Sequence, residues 1–101
     1  MALSKKQIKQ LKTLAIHIKP LVTVGKNDIT DTLVQQASET LDQRELLKVA
    51  VQDGSSLDAK EAGTELAERL NAELVQVIGN RCVLYRETSR DDVEKIRLVR
   101  A

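Results

Sequence analysis

Three times along this chain a stretch with helical spacing gives way to a short apolar run, and the third run is followed closely by a fourth. Ser4-Lys5-Lys6-Gln7 has the Ser-x-x-Gln form of a helix start, and Ile8, Leu11, Leu14, Ala15 and Ile18 follow on one side of a helical wheel. Pro20 has no amide to continue that helix and stands at or beyond its end. Leu21 to Val24 reads as a short buried strand, Gly25-Lys26-Asn27-Asp28 as a turn, and Ile29, Leu33, Ala37 and Leu41 as a second helix reaching about Asp42, capped by Asp28 or Thr30. Glu45 to Val51 is a second strand and Asp53-Gly54-Ser55-Ser56 a loop. Asp58-Ala59-Lys60-Glu61 opens a third helix marked by Ala59, Ala62, Leu66 and Leu70. Gly63 inside it costs about 1 kcal/mol against alanine, which close packing on a sheet would offset. Leu74–Ile78 and Cys82–Tyr85 are two strands, with Gly79-Asn80 as the hairpin turn between them.

The expected order is therefore α-β-α-β-α-β-β. Helical crossovers call for parallel pairing among the first three strands, and the hairpin for antiparallel pairing at the close. The chain is expected to be an α/β protein, a single compact domain with a four-stranded mixed sheet packed with helices. Its 101 residues suit one modest core. Residues 1–86 carry the pattern and 87–101 form a C-terminal tail, in which Val93, Ile96, Leu98 and Val99 are expected to pack as a short helix or an extended tail.

Net charge is +1, but it is unevenly spread. Residues 1–27 hold Lys5, Lys6, Lys9, Lys12, Lys19 and Lys26 and no acid. Residues 28–80 hold eleven acids against four bases, and 81–101 six bases against four acids. A Debye length of about 8 Å prevents distant acids from cancelling the basic block, which can attract a polyanion. Lys5, Lys9 and Lys12 fall within about 60° of one another on the first helix, opposite its apolar side.

Catalysis has little to draw on. His17 is the only histidine and Cys82, in an apolar strand, the only thiol. There is no Cys/His cluster for a metal and no Walker or dinucleotide glycine pattern. The chain is expected to be no enzyme, with no cofactor, no metal and no small-molecule substrate. No apolar run is long enough to span a membrane, and the opening residues lack a signal sequence, so a cytoplasmic protein with no membrane partner is expected. Tyr85 is the only aromatic, so base stacking on an aromatic sheet face is ruled out. Any nucleic acid must be held through backbone amides, lysine and arginine.

The turn at 25–28 is the best place for that. A bend between a strand and a helix gathers amides suited to phosphate, Gly25 permits close approach, Lys26 adds charge and Asn27 a side-chain donor. An ordinary βα turn would satisfy Gly25 and Asn27 equally well. Lys19, at the far end of a five-residue strand, stands roughly 15 Å away.

Lys19-Pro20-Leu21-Val22-Thr23-Val24-Gly25-Lys26-Asn27-Asp28-Ile29-Thr30 resembles the start of a CRM domain (chloroplast RNA splicing and ribosome maturation). Glu45-Leu46-Leu47-Lys48-Val49 resembles its second strand, and Val75 to Arg86 its closing hairpin. The chain is similar to the bacterial stand-alone, YhbY-like form. That resemblance implies a fold akin to the C-terminal domain of translation initiation factor three. It also implies RNA binding and association with precursors of the large (50S) ribosomal subunit. The family's GxxG loop, which lies against RNA backbone, carries over to Gly25, Lys26, Asn27 and Asp28. The last position departs from the family's usual glycine: Asp28 tolerates left-handed backbone, but its charge opposes a phosphate.

Taken with the resemblance, the expected function is that of a ribosome assembly factor that binds ribosomal RNA, with ribosomal proteins as further partners. Lys5, Lys9, Lys12, Lys19 and the Gly25 turn form its electropositive edge, extended by Arg81 and Arg86. The alternative is a protein-interaction module docking through its acidic helices.

Overall fold

The computed structural model describes residues 3–100. Met1, Ala2 and Ala101, the outermost residues of the expected segments 1–86 and 87–101, lie outside the described residues. Helix α1 spans Lys5–Ala15 and begins with the expected capping box, in which Ser4 and Gln7 bond reciprocally. Strand β1 is Val22–Val24, helix α2 Asp31–Arg44 and strand β2 Leu46–Val51. Helix α3 is Ala59–Leu70, capped by Asp58 and Glu61 in the same reciprocal way. Strands β3, Glu73–Ile78, and β4, Arg81–Tyr85, close the fold around Gly79, whose φ of +56° suits the two-residue turn. The order is α-β-α-β-α-β-β, as expected.

The sheet runs β1-β2-β4-β3. β1 and β2 are parallel, whereas β4 is antiparallel to both β2 and β3. The first three strands thus share one direction, and the last strand in sequence inserts between the second and third. Alternation along the strands builds a core on each face. Val22, Val24, Leu47, Val49, Cys82 and Leu84 meet α2 and α3 on one side. Leu46, Val75, Val83 and Tyr85 meet Leu11 and Ala15 of α1 on the other. A bulge in β3 between Leu74 and Gln76 sets Val75 and Gln76 together opposite Val83. Gly63 compensates for its helix cost through contact: a Cβ there would lie 2.8 Å from Leu74 Cδ1 and 3.2 Å from Cys82 Sγ.

Glu45 differs from its reading as a strand residue. It is the left-handed cap of α2, with φ +62°, and only 1% of it is exposed. Its carboxylate accepts the amides of Thr88 at 2.7 Å and Ile96 at 2.6 Å. Residues 87–100 contain no helix: they cross the α1 side as an extended strap, with Ile96 and Leu98 in the second core. Gln7 and Gln10 of α1 bond the strap backbone at Val99 and Arg97.

Candidate nucleic-acid interface

The end of β1 is where backbone and charge come together. Gly25 to Asp28 is a tight turn closed by the Asp28 amide on the Gly25 carbonyl at 2.9 Å. Lys26 and Asn27 form its exposed tip, and their amides make no hydrogen bond among the described residues. Two free N–H groups beside an ammonium and a carboxamide suit an anion's oxygens. Helix α2 starts beyond the turn: Thr30, not Asp28, caps it by accepting the Leu33 amide at 3.1 Å.

The turn rests on the loop between β2 and α3. A Cβ on Gly25 would lie 3.2 Å from Gln52 Oε1, and one on Gly54 would touch Lys26 Cβ at 3.7 Å. Asp28 ties the two segments together. It takes the left-handed backbone, with φ +55°. Its carboxylate accepts the Ser55 hydroxyl at 2.7 Å and the Ser56 hydroxyl and amide at 2.5 and 2.9 Å. Those bonds, the Ser56 hydroxyl foremost, hold the carboxyl below the usual carboxylate range. The charge expected to oppose a phosphate is thus engaged by three donors. Ser55 and Ser56 read in sequence as loop residues only, because nothing local links them to a turn 27 residues earlier.

The remaining sequence candidates divide by place. Arg81 pairs with Ala50 of β2, which in turn pairs with Thr23 of β1. It is therefore two strand spacings, roughly 10 Å, across the sheet from Thr23, at the same end as the turn. Lys5, Lys9 and Lys12 are exposed on α1, which packs against β2, β3 and β4. Lys19 precedes β1 at its opposite end, away from the turn. Arg86 belongs to the scaffold. Its guanidinium donates to the Leu70 carbonyl, the Ser38 carbonyl and hydroxyl, and Asp42, all within 3.1 Å, pinning α2 to α3. Cys82 is buried, which pushes its thiol up to about 11, and His17 is exposed just beyond α1. Among the described residues no cluster of His, Cys, Asp or Glu could hold a metal ion, and no helix is long and apolar enough to cross a membrane.

Comparison with known proteins finds relatives over most of the chain. The model of the CRS1 / YhbY (CRM) domain matches residues 3–86. The Bacillus subtilis protein named "Probable RNA-binding protein YqeI" is 36% identical over 89 residues, covering 88% of this chain and 93% of its own. The Pseudomonas aeruginosa "Probable RNA-binding protein PA4753" is 31% identical, covering 89% and 86%. The solution structure of SAV1595 from Staphylococcus aureus, described as "a putative RNA binding protein", superposes with a TM-score of 0.75 at 38% identity. The match covers 94% of this chain and all of that one. With a matching domain over most of its length, a solved structure that superposes over 94% of it, and similar proteins aligned nearly end to end, this chain belongs to the CRS1 / YhbY (CRM) domain family.

Proposed function

We propose that this chain is a non-catalytic RNA-binding protein that grips sugar-phosphate backbone. The observation that carries the reading is the Gly25–Asp28 turn: two unbonded amides and Lys26 at an exposed tip, held in shape by the Asp28–Ser55/Ser56 bonds. Arg81 adds charge at the same end of the sheet, and Lys5, Lys9 and Lys12 of α1 supply a second basic face. The relatives named as RNA-binding proteins support RNA as the partner. Without exposed aromatics, contacts read shape and phosphate position more than base identity. The resemblance to YhbY-like proteins extends this to a cytoplasmic assembly factor acting on large-subunit precursors, with ribosomal RNA as ligand and ribosomal proteins alongside.

The test is anisotropy of a labelled large-subunit RNA fragment titrated with the full chain at increasing salt. With about four phosphates contacted, log K falls by about 0.7 per phosphate per decade of salt, a roughly fifty-fold loss from about 50 to about 200 mM. Lys26→Gln lowers the slope by about one contact's share. Binding that ignores salt contradicts the reading. Crosslinking in cells, with the adducts mapped, checks the ribosomal assignment: adducts confined to other RNAs overturn it.

A further inference from the structure

The strap of residues 87–100 lies outside the stretch matched by the family model, and it walls a groove. The groove, about 1440 Å³ and open to solvent, runs between the end of α1, the approach to β1, the end of α2 and the strap. Its lining includes the aliphatic side chains of Leu14, Leu21 and Leu46. Its walls carry Lys19, Arg44, Lys48, Lys95 and Arg97 with His17, against Glu94 as the one carboxylate in the lining. Among the described residues none of those five cations forms an ion pair. A protein of net charge +1 thus concentrates unpaired positive charge in one concavity, where low-dielectric walls focus the field.

Lys48 connects this groove to the rest of the sheet. It is half-buried in the middle of β2, and it also lines a second depression of about 170 Å³ that holds Arg81. The cations therefore run from the strap, across the sheet, to the end where the Gly25 turn stands.

We propose that this groove holds a single-stranded RNA segment by its phosphates, with Lys95 and Arg97 of the strap completing a site that residues 3–86 alone leave open on one side. The proposal rests on the RNA reading above and adds a second, separate tract to it. The aliphatic part of the lining favours a single strand, whose riboses and base faces are free to lie against it, over a duplex, which hides its bases. The row of cations leading from the strap through Lys48 to Arg81, at the end of the sheet where the turn stands, matches a phosphate polymer better than an acidic peptide.

The test measures labelled oligouridylate binding to the full chain over a range of salt concentrations. The variants are Lys95→Gln/Arg97→Gln on the strap, Lys48→Met on the sheet and Lys60→Gln on α3 as a control on the opposite face. Each lost single-strand phosphate contact takes about 0.7 from the salt slope, and about fivefold from affinity near 0.1 M salt. The strap pair is expected to lose about 1.4, Lys48→Met about 0.7 and Lys60→Gln nothing. Wild-type slopes in both groove variants overturn the proposal while leaving the turn's role intact. Binding of polyglutamate that falls in the groove variants, with RNA slopes unchanged, reassigns the groove to acidic protein and also overturns it. If the wild type binds neither oligouridylate nor the large-subunit fragment, the RNA reading fails first and the groove site fails with it.

Discussion

Asp28 and Ser56, 28 positions apart, are joined twice: the carboxylate accepts the serine hydroxyl at 2.5 Å and the serine amide at 2.9 Å. The turn proposed to present its backbone to RNA is thereby tied to the loop that follows β2, which fixes its shape.

That brace depends on the carboxylate being ionised. The folded value lies below the ordinary 3.8 because the ionised form collects the serine donors. Its stabilising contribution is complete above 3.8 and fades as pH falls through the lower folded value. In an NMR titration the Ser56 amide resonance is expected to move with a midpoint below 3.8. A midpoint at or above 3.8 shows the bonds to be absent in solution.

Glu45→Ala removes the acceptor of two amides in an otherwise buried place. With charge-assisted bonds contributing roughly 1.5–3 kcal/mol each and water partly replacing them, a loss of about 3 kcal/mol in urea unfolding is expected. The diagnostic signal is faster hydrogen exchange at Thr88 and Ile96, while the β2 and β4 amides keep their relative protection. Unchanged exchange at those two positions means the strap is held by its aliphatic contacts alone.

Arg86→Met keeps the aliphatic stem and deletes four donated bonds. It should cost about 2–3 kcal/mol of stability, since three carbonyl or hydroxyl acceptors and Asp42 lose their donor. Because the guanidinium faces α2 and α3 rather than a ligand, the salt slope of RNA binding by the folded variant stays at the wild-type value. A flatter slope would give Arg86 a direct role.

Tyr85 is 2% exposed, and burial, then Glu45 and Glu87, push its hydroxyl up to about 12. The neutral form is favoured in the fold, so its contribution is intact below about 10, the unfolded value, and is lost as pH rises through 12. As the chain's only aromatic, it can be followed alone by ultraviolet absorbance. A folded-state midpoint near 10 argues against its burial.

The local signals read true because they act within a few residues. The Ser4 and Asp58 caps, the crowding demanded by Gly63 and the Gly79-Asn80 turn all concern neighbours in sequence or one packed face. What escaped the sequence is nonlocal. Hairpin logic pairs β4 with β3 but does not say that β2 takes its other edge. Apolar spacing does not reveal that Glu45 turns left-handed and inward, since its partners lie 43 and 51 residues later. Arg86 looks like another surface base until the ends of α2 and α3 converge on it. The turn was legible from Gly25, Lys26 and Asn27, but its brace by Ser55 and Ser56 was not. The basic groove was hidden because its five cations come from four separate segments.

The insertion of β4 between its two neighbours has a bearing on how the protein is made. β3 has only β4 to pair with, and β2 offers β4 an open edge until the final strand arrives. A nascent chain lacking residues 81–85 has helices but no closed sheet, and its edges stay exposed to wrong partners. Closure of the sheet therefore waits for residues 81–85 to leave the ribosome. A stop codon shortly before Arg81 should yield an aggregating fragment rather than a smaller working domain.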